Sequence, residues 1–302
     1  MYKNLLVPLD GSNLAETVFP AVAYLAGKLA ARVTLLHVVE RDAPEKIHGQ
    51  RHLTKANEAR AYLDEASRVA LPPTILVETH VAAAGEGGVA QSIVQYAAES
   101  AADLIVMCSH GRGGLRHLLS GSNAQQLIGC GRISVLQIRP PEEGMNQAFG
   151  CHKMLVPLDG RPEHEEGLDA AARLSRACQA ELLLLTTVPT LKTLPPERAA
   201  AANLMPGAAA AILDVNTVAA EAYLRGKLRS LQSRGIASGS EIGRGDPAEV
   251  ILQVAERSVA DLIVLGTHCR TGTEAFWSGS IAPRVANRSR VPVLLVPLSG
   301  KA

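Results

Sequence analysis

A stretch near the start of the chain, KNLLVPLDG at Lys3–Gly11, decides the fold because it occurs twice. It returns in the second half of the chain as KMLVPLDG at Lys153–Gly160. Further along, ADLIVMCSHGR at Ala102–Arg112 returns as ADLIVLGTHCR at Ala260–Arg270. Matching blocks in the same order, separated by about half the chain, predict a duplicated domain rather than a short-period solenoid.

Each copy alternates short apolar runs, rich in β-branched residues, with amphipathic helical patterns. The runs of the first copy read LLVPL, VTLLHVV, TILVETHVA, DLIVMCS and SVLQIRP, and those of the second read LVPL, ELLLLTTV, EIGRG, DLIVLGT and VPVLLVP. Such runs are typical of strands buried on both faces of a parallel sheet. The sequence therefore predicts an α/β fold with two tandem, doubly wound parallel-sheet domains over residues 1–143 and 150–302. We expect the last strands of the two copies to pair at a pseudo-twofold interface, because both are apolar enough to need cover.

Single residues predict details of the helices and of one insertion. Ser12 is a suitable N-cap for a helix over Leu14–Leu29. Pro20 lies inside that helix and predicts a kink, because its ring removes one backbone hydrogen bond. The segment Pro189–Pro206 is rich in Ala and Pro, and we expect a mobile insertion that covers the second copy's site.

The composition excludes several classes of function. The 302 residues carry 30 basic and 29 acidic side chains, and a net charge of +1 excludes a binder that attracts polyanions in bulk. Aromatic residues make up 3 %, which argues against a base-stacking platform. The five cysteines include no CxxC pair, which favours reduced thiols. Without a signal-peptide pattern or a membrane-length apolar run, we expect a cytoplasmic protein whose partners include neither nucleic acid nor a membrane.

The loop after the fourth strand is the strongest sign of a ligand site. In the first copy it reads C-S-H-G, nine residues and then G-S, and in the second G-T-H-C, nine residues and then G-S. Glycine lets a backbone approach a phosphate, and the free N–H groups of a helix that begins at Gly121-Ser122 favour an anion. The alternative interpretation is a tight turn followed by a serine N-cap. Recurrence of the loop at identical length favours phosphate binding.

These motifs resemble a known family. VPLDGS, LLHVV, the SHGR loop, the GS helix start and VLQIRP together resemble a universal stress protein domain, and the resemblance covers essentially the whole chain twice. The chain thus resembles a tandem universal stress protein, whose domains are Rossmann-like and similar to adenine nucleotide alpha hydrolases. Nucleotide-binding members carry G-x2-G-x9-G-[S/T] in this loop. Here Cys108 replaces the first glycine in copy one, and Cys269 replaces the second glycine in copy two.

The resemblance implies an adenine-nucleotide site in each copy. Asp10 and the backbone of Val38, at the end of the second strand, would meet adenine, and the loop would border ribose and phosphates. The residues implied in copy one are Pro8, Asp10, Val38, Met107, Cys108, His110, Gly111, Gly121, Ser122 and Asn123. Those implied in copy two are Pro157, Asp159, Thr187, Leu265, Gly266, His268, Cys269, Gly279, Ser280 and Ile281.

Charge in the two loops predicts that copy one holds a triphosphate more tightly. Arg112 and Arg116 give the first loop two positive charges, whereas Arg270 and Glu274 cancel in the second. Pro283 also removes one N–H from the first turn of the second copy's helix. The alternative is that Arg112 and Arg116 are solvated surface charges.

The histidines and cysteines of the loops raise the question of catalysis. No repeated Ser–His–carboxylate order accompanies His110 or His268, so we interpret them as hydrogen-bonding groups and expect no catalytic residue and no metal ligand. Cys108 and Cys269 are either redox thiols or small replacements for glycine. His37, at the end of the second strand, is expected to be a satisfied near-core side chain.

Two functions from different classes remain. The first is an ATP-binding, or other adenine-nucleotide-binding, stress-response protein that acts with or without Mg²⁺ and hydrolyses the nucleotide slowly or not at all. The second is a nucleotide-free adaptor that acts on an unknown protein partner through a pseudo-dimeric two-domain scaffold, with homodimerisation open. A hydrolase is disfavoured, because the chain reads VPLDGSN where an SGGxDS-type loop is needed and lacks GxxxxGK[ST].

Overall fold

The structure, a computed structural model, describes residues 2–40, 46–47, 50–51, 53–108, 133–140, 148–194, 199–200, 204–267 and 281–298. The first copy consists, in chain order, of β1 (Asn4–Pro8), α1 (Asn13–Glu16), α2 (Phe19–Leu29), β2 (Arg32–Val39), the short hairpin β3 (Lys46–Ile47) and β4 (Gln50–Arg51), α3 (Ala56–Ala70), β5 (Val77–Ala83), α4 (Gly88–Glu99), β6 (Leu104–Cys108) and β7 (Ser134–Ile138).

The second copy repeats this order with a longer third helix. It consists of β8 (Lys153–Leu158), a 3₁₀ turn (Pro162–His164), α5 (Glu166–Cys178), β9 (Glu181–Val188), a 3₁₀ turn (Leu191–Thr193), α6 (Pro206–Ser233), β10 (Ser238–Arg244), α7 (Pro247–Arg257), β11 (Leu262–Thr267), α8 (Ile281–Arg288) and β12 (Val293–Pro297). The predicted strand–helix alternation is therefore confirmed in both copies.

Ten strands form one continuous sheet in the order β10-β9-β8-β11-β12-β7-β6-β1-β2-β5. Neighbouring strands run parallel within each copy. Between the copies β12 runs antiparallel to β7, with Val293 opposite Gln137 and Leu295 opposite Val135. The predicted pairing of the two last strands is thus confirmed, and each covers the apolar edge of the other.

The strand order reverses between the first and fourth strands of each copy, which is where ligands bind in doubly wound sheets. β1 pairs with β6 only through Leu5–Leu104 and Leu6–Ile105, near the amino ends of both strands. β8 and β11 pair in the same way through Met154–Leu262 and Leu155–Ile263. Because the ladder stops there, the strands diverge toward their carboxyl ends and open a crevice in each copy.

The central strands are buried on both faces, as their apolar sequence predicts. All five residues of β6 are buried, and so are the three middle residues of β1. One face packs against α1, α2 and α3, and the other against α4. This packing fixes the positions at which the strands end, and hence the walls of each crevice.

The first helix differs from its predicted form. Ser12 is the N-cap, as expected, and its Oγ accepts a hydrogen bond from the Ala15 N–H at 3.2 Å. Instead of one kinked helix, α1 ends at Glu16 and α2 begins at Phe19, with Pro20 in its first turn. Proline is tolerated there because the first N–H groups of a helix have no intrahelical partner. The prediction of a kink at Pro20 was therefore wrong.

Helix α6 begins at Pro206, at the end of the segment predicted to be a mobile insertion. Its inner face places Leu213 and Ala220 against Val188 of β9. Its 28 residues exceed the 15 of α3, so the second copy's insertion lengthens this helix. Residues 195–198 and 201–203 of the insertion lie outside the described residues.

Candidate functional site

Asp10 lies at the crevice of the first copy, two residues beyond the end of β1. Its Oδ1 accepts hydrogen bonds from the Ser12 backbone N–H at 2.9 Å and from the Ser12 hydroxyl at 2.6 Å. Gly11, between them, adopts a φ of +88°, which a residue with a side chain rarely adopts. The D-G-S sequence therefore builds a tight turn that holds the carboxylate in one orientation at the mouth of the crevice.

Cys108 faces the protein interior rather than the crevice. Its side chain is buried in the core cluster beneath α1 and α2, and its Sγ lies 3.4 Å from the Thr17 hydroxyl. Burial raises the pKa of the Cys108 thiol to about 11, and the nearby Asp10 carboxylate adds to the rise. The hypothesis of a low-pKa redox thiol at this position is wrong, and a small buried replacement for glycine remains.

The apolar residues implied at the first site place their side chains in the core. Val38 and Met107 are both buried in the cluster beneath α4, and Pro8 closes β1 opposite Leu36. Because their side chains are in the core, these residues can contact a ligand only through backbone atoms. This is what the resemblance implies for Val38.

His37 ties the chain beyond β2 to the first turn. It is buried, its Nδ1 lies 2.8 Å from the Leu9 carbonyl oxygen, and its Nε2 lies 3.1 Å from the Leu53 carbonyl oxygen. The prediction of a satisfied near-core histidine is confirmed. A Cβ on Gly11 would lie 2.7 Å from Leu53 Cδ1, so the Leu53 side chain packs directly against the turn.

Asp159, the counterpart of Asp10, has different partners. Its Oδ1 accepts a hydrogen bond from the Arg161 N–H at 3.0 Å, and its Oδ2 lies 2.5 Å from His164 Nδ1. The Arg161 guanidinium lies 3.9 Å from the same Oδ2. Both oxygens of Asp159 therefore contact the segment that leads into α5, whereas Oδ1 of Asp10 accepts its hydrogen bonds from Ser12.

Gly266 is required by packing. A Cβ at this position would lie 2.8 Å from Leu298 Cδ2 and 3.3 Å from the His164 carbonyl oxygen. Opposite it, a Cβ on Gly167 would lie 3.0 Å from the Gly266 nitrogen. The backbones of α5 and β11 thus approach each other at two glycines. This close approach explains why copy two has glycine at the first position of the motif. In copy one the same position is Cys108, whose side chain packs beside Thr17.

The other described residues of the second site belong largely to the core. Leu265 is buried, Ile281 packs partly buried against the same cluster at the start of α8, and Pro157 lies opposite Leu185 in the sheet. Thr187 is half-buried and pairs with Gly243 of β10. As in copy one, we expect these residues to contact a ligand through backbone atoms.

Three residues that the sequence analysis missed lie beside Asp159. The Glu165 carboxylate accepts hydrogen bonds from the Tyr223 hydroxyl at 2.8 Å and from Lys227 Nζ at 2.5 Å. Burial and this carboxylate raise the pKa of Tyr223. Glu165 is separated from both partners by about 60 residues, so no local sequence pattern could have indicated this cluster.

The last helix of copy two is clamped by ion pairs. Both nitrogens of the Arg284 fork contact the two oxygens of Asp246, at 3.0 and 2.8 Å, and Arg288 contacts both oxygens of Glu249. The Arg284 hydrogen bonds hold the pKa of Asp246 below its usual range. Since Asp246 is also the N-cap of α7, one carboxylate fixes the start of α7 and the position of α8.

The repeated aspartate of ADLIV is structural. Asp103 accepts hydrogen bonds from the N–H groups of Lys3 and Asn4 at 2.7 and 3.0 Å. Asp261 does the same for residues 152 and 153 at 2.6 and 2.8 Å. These carboxylates close the amino ends of the central strands, at the opposite edge of the sheet from the crevices.

The glycine-rich loops themselves lie outside the described residues, which end at 108 and 267 and resume at 133 and 281. The predicted site residues in these gaps are His110, Gly111, Arg112, Arg116, Gly121, Ser122, Asn123, His268, Cys269, Gly279 and Ser280. Within the part of the chain that the structure describes, no group of three or more metal-ligating side chains occurs.

Comparison with known proteins agrees with this architecture. The sequence model of the Universal stress protein family matches residues 1–139 and 150–297, and therefore most of the chain. The chain belongs to the universal stress protein family. Its two matched regions meet at the β7–β12 pair, so the tandem arrangement predicted from the repeat is confirmed.

Relatives and solved structures are similar to this chain over its whole length or over one half of it. A universal stress protein of Mycolicibacterium smegmatis is 23 % identical over 302 residues, covering 97 % of this chain and 96 % of the relative. One from Methanocaldococcus jannaschii is 29 % identical over 146 residues, covering 48 % of this chain and 81 % of the relative. The crystal structure of a universal stress protein from Archaeoglobus fulgidus covers 98 % of this chain and 96 % of its own, with a TM-score of 0.65 at 17 % identity.

None of the described helices has the length and apolar character needed to cross a bilayer.

Proposed function

We propose that this universal stress protein binds an adenine nucleotide, with ATP as the expected ligand, and acts as a stress-response regulator with little or no hydrolysis. The observation that carries the proposal is the position of Asp10. Its carboxylate stands at the crevice where β1 and β6 diverge, oriented by Ser12. Ligands of doubly wound sheets bind at this point.

The residues of copy one fit such a ligand. A fixed carboxylate can accept a hydrogen bond from the exocyclic amino group of adenine, and Cys108 leaves the crevice open because its side chain is buried beside Thr17. Gly111, Gly121 and Ser122 follow in the sequence as the phosphate-binding elements that the family resemblance implies. Arg112 and Arg116 would form charge-assisted hydrogen bonds with the phosphates, with or without Mg²⁺.

Copy two is the weaker site in this proposal. Asp159 uses both oxygens within its own turn, one toward the Arg161 N–H and one toward His164. A nucleotide would have to compete with His164 for that carboxylate. The cancelled loop charges of Arg270 and Glu274 point the same way.

A nucleotide-free adaptor is the second candidate, and the continuous sheet favours it. Because β7 and β12 join the two copies directly, the chain already has the two-domain scaffold that an adaptor needs. We propose domain limits of 1–143 and 150–302 for this scaffold. Cys108, Cys151 and Cys178 carry reduced thiols, which suits a cytoplasmic protein.

Mass analysis of nucleotide released by denaturing the purified protein separates the two functions. We expect an adenine nucleotide from the wild type and from Gly279→Val. We expect a strong reduction in Gly121→Val, which adds a side chain where the loop of copy one would bind the phosphates. If no nucleotide is released and added ATP does not bind, the adaptor function replaces the first.

A further inference from the structure

Two cysteines that are far apart in the sequence lie side by side at the amino edge of the second copy's sheet. Cys151 precedes β8, and Cys178 is the last residue of α5. Both are buried in the same core cluster, with exposed fractions of 0 % and 5 %. The two thiols are hydrogen-bonded to each other, and both are free. The absence of a CxxC motif concealed this pair from the sequence analysis.

The first copy contributes the surroundings of this pair. The Tyr24 hydroxyl of α2 is hydrogen-bonded to Cys178, and Lys28 Nζ lies 5.7 Å from the centre of the Tyr24 ring. The Phe149 ring meets Tyr24 edge-on, with 5.5 Å between ring centres. The thiol pair therefore lies where α2 of copy one packs against the start of copy two.

The two sulfurs are not equivalent. Hydrogen bonds from the Cys151 thiol and the Tyr24 hydroxyl, together with the charge of Lys28, lower the pKa of Cys178. The hydrogen bond to Cys178 and burial raise the pKa of Cys151. A thiolate reacts with oxidants far faster than a thiol, so these contacts distinguish an attacking sulfur from a partner sulfur.

A cavity reaches the residue that precedes Cys151. A space of about 450 Å³ between the two copies is lined by Pro20, Ala21, Phe149 and Gly150 among others. Gly150 immediately precedes Cys151, and Ala21 lies about one helical turn from Tyr24. A small uncharged oxidant can enter such a space, whereas a protein oxidant cannot.

We propose that Cys151 and Cys178 are a redox-active pair that hydrogen peroxide converts reversibly into an intrachain disulfide. The Cys178 thiolate attacks one peroxide oxygen, the O–O bond breaks, and the leaving hydroxide takes up a proton to become water. The resulting sulfenic acid is attacked by the Cys151 sulfur, which loses its proton as a second water leaves. Two thiols and one peroxide thus give one disulfide and two waters.

Oxidation would alter the contact between the copies. The disulfide removes the sulfur charge that the Tyr24 hydroxyl and Lys28 stabilise, and it links the end of the inter-copy segment to α5. Oxidation of the pair would therefore change the contact between the two copies in response to peroxide, whether or not a nucleotide is bound.

The test is a peptide map of the native chain treated with hydrogen peroxide, alkylated and digested with trypsin without reductant. Tryptic peptides 133–153 and 177–192 each contain one cysteine, Cys151 and Cys178 respectively. We expect these peptides to appear linked after peroxide and separate after dithiothreitol. If they stay unlinked at a dose that oxidises Cys178 to sulfinic acid, or at a dose that oxidises the unfolded chain, the proposal is wrong.

Two variants test the assigned roles. Cys151→Ala leaves Cys178 without its partner, so a sulfenic acid at Cys178 should accumulate and react with dimedone. The matched control is Cys108→Ser, which removes a buried thiol that contacts Thr17 rather than a second thiol, and which should form the 151–178 link as the wild type does. If Cys151→Ala gives no sulfenic acid at Cys178, or if Cys108→Ser abolishes the link, the proposed roles of Cys151 and Cys178 are wrong.

Discussion

At the scale of single residues, the repeated motifs contain structural and functional positions side by side. The aspartate of VPLDG stands at the crevice, whereas the aspartate of ADLIV closes the opposite edge by accepting two backbone hydrogen bonds. Both are repeated in the sequence, so repetition alone cannot separate them. The direction of the parallel strands does, because only the carboxyl ends meet at the ligand-binding edge.

Asp103→Asn should destabilise the fold. One oxygen of the Asp103 carboxylate accepts a hydrogen bond from the Lys3 N–H and the other from the Asn4 N–H, and an amide keeps only one of these two acceptors. We expect the free energy of unfolding to fall by about 1–3 kcal/mol. Urea unfolding followed by circular dichroism measures this, with Asp214→Asn, an exposed residue 4.0 Å from Arg244, as a control that should change little. Equal effects of the two substitutions would contradict the assignment.

Gly266→Ala should also destabilise the fold, whereas Gly226→Ala should not. The added methyl at 266 meets Leu298 at 2.8 Å and a backbone oxygen at 3.3 Å, while nothing lies within 4 Å at 226, inside α6. Overpacking of this kind costs about 1–3 kcal/mol, and alanine in a helix interior stabilises by about 0.5–1 kcal/mol relative to glycine. Thermal unfolding of the two variants should shift the midpoint in opposite directions. A neutral Gly266→Ala would show that packing does not require the glycine.

At the scale of elements, ion pairs join the last two helices of copy two. Asp246 and Glu249 of α7 hold Arg284 and Arg288 of α8. Asp246 is also the N-cap of α7, whereas α4 of copy one begins behind Gly87 without a side-chain cap. The ion pairs therefore position α8, the helix that follows the second loop, by electrostatics.

Asp246→Asn tests the clamp through its pH dependence. Asparagine preserves the N-cap, so the substitution removes the charge and one of the two oxygens that Arg284 contacts. Because the folded-state pKa of Asp246 is lowered, its ionised form contributes stability above the unfolded pKa, and this contribution is lost as the pH falls through the folded value. Both side chains are about a third exposed or more, so we expect a loss of about 1 kcal/mol at pH 7.

The difference between Asp246→Asn and the wild type should shrink below about pH 4, the ordinary pKa of an aspartate. Urea unfolding at pH 7 and pH 3.5 measures it. A difference that persists unchanged at pH 3.5 would show that the charge is not responsible.

The sequence predicted the elements well and their contacts less well. Apolar runs and the repeat located all ten large strands, because strands buried on both faces need continuous apolar sequence. The break between α1 and α2 was mistaken for a kink at Pro20. A proline within a helical sequence pattern is compatible both with a kinked helix and with the first turn of a new helix. The His164–Asp159 contact and the Cys151–Cys178 pair depend on distant segments that only the fold brings together.

At the scale of the whole molecule, the antiparallel β7–β12 pair makes the two copies one body with two crevices facing opposite edges of a single sheet. Because the copies run in opposite directions, the carboxyl ends of copy one lie beside the amino ends of copy two. This explains why the inter-copy cavity is lined both by α1–α2 residues such as Thr17 and by residues preceding β11 and β12, such as Asp261 and Pro292.

Unequal binding by the two crevices is the central claim, and titration calorimetry with ATP on Asp10→Ala and Asp159→Ala tests it most directly. A hydrogen bond to a charged group contributes about 1.5–3 kcal/mol, so Asp10→Ala should weaken ATP binding by about 10- to 150-fold. Asp159→Ala should leave the affinity unchanged, and thermal midpoints near that of the wild type confirm that both variants fold. If Asp159→Ala abolishes ATP binding while Asp10→Ala binds as the wild type does, the account is contradicted.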